Sequence, residues 1–133
     1  MDAEERTWPE NPLSFEIIGC AIDVHKTLGP GLLESAYQQC LEISLRKRGL
    51  SFEAERRIPL IYENYLVPDA YRLDLIIEGK VIVEIKSVQT LLPIFRSQLL
   101  TYLRITRLRL GLLLNFNVPS LPEGIRRVVN KLI

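Results

Sequence analysis

The sequence is poor in the residues that many metal and redox sites use. Its 133 residues include two cysteines and one histidine, and its formal net charge is +1. Neither cysteine has metal-site spacing or a histidine partner, so the sequence disfavours a zinc site. The near-neutral charge gives no general attraction to nucleic acid, and any such binding must therefore depend on local patches.

Long hydrophobic runs are also missing. No apolar stretch approaches the length of a membrane span, and the acidic start MDAEERTWPEN does not resemble a signal peptide. We therefore expect a soluble protein with no membrane partner, located in the cytoplasm. Cys20 and Cys40 both fall in apolar helical patterns. They could form one disulfide, but buried free thiols in a reducing compartment fit this placement better.

The composition is that of one globular domain. Hydrophobic residues make up 47% of the chain and charged residues 25%, which is typical of a chain that buries a core. Residues 1–10 are predicted to form a polar tail. Residues 11–133 are predicted to form a single domain, because no repeat, low-complexity segment or linker interrupts them.

Apolar residues at helical spacing predict two helices in the first third of the chain. The first helix begins at Asn11-Pro12, an N-cap followed by proline, and ends at Gly29-Pro30-Gly31. The second runs from about Leu32 to Arg48, and Gly49 supplies its C-terminal stop.

Strand character follows the second helix. It runs from Phe52 to Tyr62, where Pro59 predicts an edge strand or a bulge, because proline cannot donate a ladder hydrogen bond. After a turn at Glu63-Asn64, a short strand over Tyr65–Val67 is predicted to be interrupted at Pro68-Asp69.

The segment 71–88, YRLDLIIEGKVIVEIKSV, alternates apolar and polar residues on both sides of a turn at Glu78-Gly79-Lys80. This pattern predicts a β-hairpin. If the turn has an odd length and is centred on Gly79, one face is wholly apolar, with the pairs Leu73–Ile85, Leu75–Val83 and Ile77–Val81. On the other face Asp74 lies opposite Glu84, and Lys86 points to the same side. A slip of one residue would separate the acids.

Two carboxylates directly opposed destabilise a sheet, so their charge should be compensated. Divalent cations such as Mg²⁺ bind carboxylate oxygens and keep open water positions. The pair Asp74 and Glu84 therefore indicates a metal site. A solvated polar face on an amphipathic hairpin explains the same pattern, and the residues alone leave both interpretations open.

Three more elements follow the hairpin. A helix is predicted over about Leu92 to Thr106, and the apolar run from Arg109 to Phe116 suits a strand buried on both faces. The tail IRRVVNKLI suits a strand or a short helix, of which we favour the strand. The fold class is therefore α/β, a mixed sheet flanked by helices in the order ααβββαβ plus a terminal strand.

The segment Gly31–Tyr37, GLLESAY, carries a G-x-x-E-x-x-Y signature. Together with the RLDL and VEIK strands, the QLLTYLR helix and the GLLLNF strand, it resembles the GxxExxY proteins of the PD-(D/E)XK nuclease superfamily. The resemblance covers roughly residues 18–129. It implies a restriction-endonuclease-like core and metal-dependent hydrolysis of phosphodiester bonds.

The resemblance also implies roles for individual residues. Asp74, Glu84 and Glu34 would bind Mg²⁺ (or Mn²⁺), and Lys86 would position or activate the attacking water, so that these four are the catalytic candidates. Glu34 also lies in the first turn of its helix, where an acid is favourable for the dipole without any site role. Leu73 stands where the superfamily motif has proline, a structural departure that leaves Asp74 in place.

Further residues are supporting candidates. Gln98 and Tyr102 resemble a Q-x-x-x-Y element of some branches and lie on one helix face, where they could orient the site or cap a polar edge. Tyr37 is expected to pack with its hydroxyl on a polar partner. His25 is expected to be a packed or hydrogen-bonded histidine, because no nucleophile accompanies it.

Two functions remain open at this point. The resemblance favours a nuclease acting on nucleic acid, with DNA preferred to RNA, and the small size of the domain suggests a homodimer. The alternative is a catalytically silent nuclease-fold module for binding or assembly, because a fold does not fix a function.

Overall fold

Helices and strands follow one another in the order ααβββαββ over residues 1–131, which the computed structural model describes. Their bounds are α1 Glu10–Leu28, α2 Glu34–Lys47, β1 Phe52–Tyr62, β2 Tyr65–Ile77, β3 Val81–Lys86, α3 Pro93–Thr106, β4 Leu110–Asn115 and β5 Ile125–Val129. Short 3₁₀ helices occupy Glu5–Thr7 and Leu121–Gly124. The last two residues of the predicted terminal strand lie outside the described residues.

The strands form one mixed sheet in the order β1-β2-β3-β4-β5. Neighbouring strands are antiparallel except β3 and β4, which are parallel. The exception arises because α3 connects β3 to β4 as a crossover, which returns the chain to the end of the sheet where β3 began. The predicted fold class, a mixed sheet flanked by helices, is confirmed.

Helices cover both faces of the sheet. Helices α1 and α2 pack on one face against buried residues of β2, β3 and β4, among them Leu75, Val83 and Leu112. Helix α3 packs on the other face, where Leu99 and Leu103 contact a second buried cluster. Because β4 is buried on both faces, its sequence is nearly continuous in apolar residues rather than alternating.

The chain before α1 is packed against the domain, so the prediction of a polar tail over residues 1–10 was wrong. Trp8 is buried, and the Arg109 guanidinium lies 4.6 Å from the centre of its ring. Glu5 and Glu10 are also buried, and they form ion pairs with Arg127 at 3.0 Å and Arg109 at 2.8 Å. The charges of Glu5 and Glu10 suggest a solvated tail, but their ion pairs hold the segment against the domain. Helix α1 begins at Glu10.

The first hairpin is longer than predicted, because strand β2 extends through Pro68-Asp69. The predicted interruption is present as a shift of register: Ile58 pairs with Tyr71 and Leu60 with Val67, so that residues 68–70 of β2 lie opposite Pro59 of β1. Strand β1 lies at the edge of the sheet, so Pro59 occupies an edge strand opposite a bulge, a setting that the missing N–H allows.

Gly124 makes a close contact on which the end of β4 depends. A Cβ atom there would lie 2.1 Å from the backbone oxygen of Asn115. We expect Gly124→Ala to lower the free energy of unfolding by about 2–3 kcal/mol, because backbone rather than a flexible side chain must yield. Urea unfolding followed by circular dichroism measures the loss.

Gly19→Ala is the matched control for this substitution. Gly19 lies inside α1, and a Cβ there would meet only the far end of the Arg48 side chain, at 3.1 Å. Alanine also favours a helix interior by up to about 1 kcal/mol over glycine. Equal stability losses in the two variants would contradict the close approach at Gly124.

Candidate active site

The turn between β2 and β3 sets the register of the candidate site. The paired positions are Leu75–Val83, Ile76–Ile82 and Ile77–Val81, as the odd-length turn predicts. Glu78 and Gly79 adopt left-handed φ values of 53° and 64°, which glycine accepts readily. The paired positions end at Leu75–Val83, and Asp74 and Glu84 are the next residues along the two strands.

Asp74 and Glu84 hold the two strands together through their side chains. The backbone N–H of Asp74 donates to Oε1 of Glu84 at 3.1 Å, and the backbone N–H of Ile85 donates to Oδ2 of Asp74 at 2.8 Å. Each carboxylate thus accepts a hydrogen bond from the opposite strand. We call this arrangement the carboxylate clamp. It brings together the two acids that the hairpin pattern singles out.

Leu73 does not follow the predicted alternation. It packs with Ile82 in the cluster beneath α3, whereas Ile85, its predicted partner, lies in the cluster with α1 and α2. The neighbouring strand is irregular here, because Glu55, between the paired positions that flank Asp74, has a φ of 53°. The apolar face therefore loses one of its predicted members at the point where the clamp begins.

The pKa values of both acids are raised above their ordinary values. Burial, and then the negative charge of Asp74, raise the pKa of Glu84 to about 8. Burial also raises the pKa of Asp74, although the Ile85 N–H and the charge of Lys86 act in the opposite direction. Desolvation and a neighbouring negative charge both disfavour an ionised carboxyl group. Asp74 and Glu84 would therefore need additional positive charge nearby to be ionised together.

Lys86 supplies positive charge beside the pair. Its charge lowers the pKa values of both Asp74 and Glu84, although less than burial raises them. Its Nζ lies 4.8 Å from the centre of the Phe95 ring on α3, a cation–π contact. This contact holds the ammonium group on the α3 side of the sheet.

Glu34 lies in the first turn of α2 and faces the end of β3. Its Oε2 accepts the Ser87 N–H at 3.1 Å, and Ser87 Oγ donates to the Leu32 carbonyl at 2.5 Å. Its charge contributes to the raised pKa of Asp74, so it lies within electrostatic reach of the clamp. Over residues 1–131, however, no three Asp, Glu, His or Cys side chains are gathered as a ready metal-binding group.

The model of the PD-(D/E)XK nuclease superfamily matches residues 11–128. The chain belongs to this superfamily. The five-stranded mixed sheet flanked by helices is consistent with its restriction-endonuclease-like fold, and membership supports a nuclease-type function. The finer GxxExxY assignment rests on the Gly31–Tyr37 motif and stays a prediction.

Other comparisons add nothing to the superfamily assignment. The comparison with curated proteins and the comparison with solved structures each gave no match. Within residues 1–131, no helix combines the length and the apolar character that crossing a membrane requires.

Tyr37, near the start of α2, is fixed by two hydrogen bonds and a ring contact. Its hydroxyl donates to the Gly29 carbonyl at 2.5 Å and accepts the Leu32 N–H at 3.1 Å. Its buried ring stacks on Phe116 with centroids 4.5 Å apart. Tyr37 therefore fixes the turn that leads into the first residue of α2, Glu34.

The two α3 candidates differ in their placement. Tyr102 is half-buried and makes an edge contact with Tyr71 at 5.8 Å between centroids. Burial raises its pKa, and so do the charges of Glu84 and Asp74, which places Tyr102 within reach of the clamp. Gln98 is exposed.

Two contacts near the site were not predicted from the sequence. Gln38 Nε2 donates to the backbone carbonyl of Asp74 at 3.4 Å. Its position four residues after Glu34, on the same helix face, was the available signal. The buried Asn115 exchanges two hydrogen bonds of 3.0 Å with the backbone of Val88, which fixes the chain just after β3. Nothing in the sequence distinguishes Asn115 from an ordinary strand end.

His25 behaves as predicted. It is buried, and its Nε2 lies 2.8 Å from the Val118 carbonyl oxygen. This backbone partner accounts for the only histidine of the chain without a catalytic role.

Proposed function

We propose that this protein is a Mg²⁺-dependent nuclease (Mn²⁺ being an alternative ion) that hydrolyses phosphodiester bonds of DNA. The observation that carries the proposal is the carboxylate clamp, with Lys86 beside it. Two acids withdrawn from water side by side at the end of a hairpin destabilise the folded state. A cation bound between them would offset that cost.

The chemistry of the clamp fits a hard divalent ion. Asp74 and Glu84 offer carboxylate oxygens, the ligands that Mg²⁺ prefers, and burial raises the pKa of both acids, a cost that a bound cation would offset. Glu34 is the candidate for a third ligand. When bound, the ion would act as a Lewis acid and would lower the pKa of a coordinated water.

Lys86 and Tyr102 are the two residues near the clamp that would contact the attacking water or the phosphate. The ammonium of Lys86 is a donor that can hold the attacking water or a phosphate oxygen beside the clamp. The Tyr102 hydroxyl can donate to a phosphate oxygen, since its raised pKa keeps it protonated at neutral pH. Phe95 restricts the position of Lys86 through the cation–π contact.

Several observations support the finer parts of the proposal. Arg96 and Arg104 of α3 line a cavity of about 660 Å³ together with Arg127, Lys131 and Glu5. Because Arg127 and Lys131 pair with Glu5, Arg96 and Arg104 are the candidate contacts for a nucleic-acid backbone. Membership of the superfamily favours DNA. Both cysteines are free thiols, in keeping with a cytoplasmic location. A homodimer would give a small domain enough surface for a duplex.

Lys86→Met tests the proposed role of the lysine. We expect Mg²⁺- or Mn²⁺-dependent cleavage of labelled single-stranded or duplex DNA by the wild type. The variant should lose on the order of 10²–10³-fold in rate, the usual effect of removing one charged group at a reacting phosphate. The matched control is Lys80→Met, an exposed lysine of the same hairpin turn, which should cleave at the wild-type rate.

The second candidate function is a catalytically silent binding or assembly module. It is favoured by the engagement of Glu34 with Ser87 and by the fact that no three-residue ligand group is assembled within residues 1–131. Calorimetry at millimolar Mg²⁺ and Mn²⁺ distinguishes the two functions. No heat of binding by the wild type would reject the nuclease, whereas binding that Asp74→Asn abolishes would support it.

A further inference from the structure

The tip of the β1–β2 hairpin exposes an unusual amount of apolar surface. Residues 60–67, which we call the arm, surround the turn at Glu63 and Asn64, whose φ values are 47° and 69°. Six large apolar residues of the arm are between 40% and 74% exposed: Leu60, Ile61, Tyr62, Tyr65, Leu66 and Val67.

Both faces of the arm are apolar. Directly paired residues of antiparallel strands share a face, so one face carries the pairs Leu60–Val67 and Tyr62–Tyr65, and the other carries Ile61–Leu66. Since a large apolar or aromatic side chain carries on the order of 150–250 Å², the six exposures amount to roughly 600 Å² over the two faces together, of which the face with the two tyrosines carries roughly 400 Å². The largest apolar patch of a typical monomer is about 300–600 Å² and is often functional, so this surface indicates an interaction site.

The charges of the arm argue against a nucleic acid or an anionic membrane as its occupant. The segment 58–71 contains no lysine or arginine, and its charged residues are Glu63 and Asp69. At its base, Arg57 lies 3.9 Å from Asp69. Phosphate groups need basic partners, and none is provided here.

We propose that the arm is a dimerisation surface whose occupant is the arm of a second copy of this chain. A standard interface buries about 800 Å² per partner, and the larger face of the arm supplies about half of that. A two-fold interface uses the same patch on both subunits. A ribbon whose charge is confined to Glu63 in its turn, and which carries two tyrosines, meets the requirement, because tyrosine is enriched at interface centres.

The arms meet through their faces rather than by extending the sheet. Pro59 interrupts the outer edge of β1, and a proline in an edge strand blocks the pairing of a further strand. Because the arm is continuous with β2, which carries Asp74, arm-to-arm contact sets the separation of the two carboxylate clamps. The proposal does not depend on catalysis, since association is measured without substrate.

The test compares the masses of three proteins by light scattering after gel filtration, at micromolar concentrations. The wild type should be a dimer, and Ile61→Asp/Leu66→Asp should be a monomer with an unchanged circular dichroism spectrum. Phe15→Asp is the matched control, because Phe15 is 80% exposed on α1 and lies outside the arm; it should remain a dimer.

A second measurement places the contact directly. A photo-crosslinking phenylalanine analogue at position 65 should give a covalent dimer on irradiation, and the same analogue at position 15 should not. A monomeric wild type at about 100 µM would overturn the proposal, as would a dimer that persists in the Ile61→Asp/Leu66→Asp variant. An arm variant that loses DNA binding while remaining a dimer would assign the arm to nucleic acid instead.

Discussion

Glu84→Gln is expected to abolish metal-dependent cleavage and, at the same time, to stabilise the metal-free protein at pH 8. Loss of a charged metal ligand should lower the cleavage rate by on the order of 10³-fold or more. The substitution also removes a buried negative charge that faces Asp74. The free energy of unfolding at pH 8 should therefore rise by on the order of a few kcal/mol.

The geometry makes glutamine a conservative choice. The amide oxygen can still accept the Asp74 N–H that Glu84 Oε1 accepts at 3.1 Å, and the amide nitrogen can donate to the Asp74 carboxylate. Glu16→Gln, an exposed acid on α1, should change neither property. Reduced stability of Glu84→Gln in the absence of metal would show that the two acids do not oppose each other.

Stability of the metal-free protein should fall as the pH rises from about 4.5 to about 8. The pKa of Glu84 is about 8 in the folded state, against an ordinary value of 4.5 for a glutamate side chain. Within this window the folded state keeps a proton that the unfolded chain has released. The free energy of unfolding therefore decreases by up to about 1.4 kcal/mol per pH unit for one proton. Thermal unfolding by circular dichroism at pH 5.5 and pH 8, with a chelator, measures this.

Other acids act outside this window. Burial alone would raise the pKa of Glu10, but the hydrogen bonds from Arg109 and from its own backbone N–H, together with the charges of Arg109 and Lys80, outweigh burial and lower it. The stabilisation by Glu10 is therefore present above about pH 4.5 and is lost at lower pH.

Mg²⁺ should raise the melting temperature more at pH 8 than at pH 5.5, because protons compete with the ion for the carboxylates of the clamp. A wild type more stable at pH 8 than at pH 5.5 without metal would contradict the burial of the pair.

Local patterns were sufficient to predict the hairpin that carries the site. The three residues Glu78-Gly79-Lys80 form a turn of odd length, and the alternation on both sides then determines the register. That register is observed as far as Leu75–Val83. Asp74 and Glu84 follow directly and meet through side chain-to-backbone hydrogen bonds, so the pair could be identified from the sequence. The mixed character of the sheet likewise followed from the crossover helix.

Features that depend on distant partners were not predictable from the sequence. The acids of the first ten residues appear solvated until Arg109 and Arg127, about a hundred residues later, are seen to pair with them. Leu73 lies on the face opposite to the predicted one, next to a backbone irregularity at Glu55 of the neighbouring strand, which the alternating pattern does not reveal. The hydrogen bonds of Glu34 and Gln38 depend on how α2 docks, which the helical periodicity does not specify.

The anchoring of the N-terminal segment has a consequence for spectroscopy. Trp8 is the sole tryptophan of the chain, and it is held by a segment whose ion pairs join residues 99 and 122 positions apart. Such a segment can detach while the sheet stays folded, because chain ends open locally at lower free energy than a core. Intrinsic fluorescence should therefore report the release of this segment, and the far-ultraviolet signal should report the loss of the sheet.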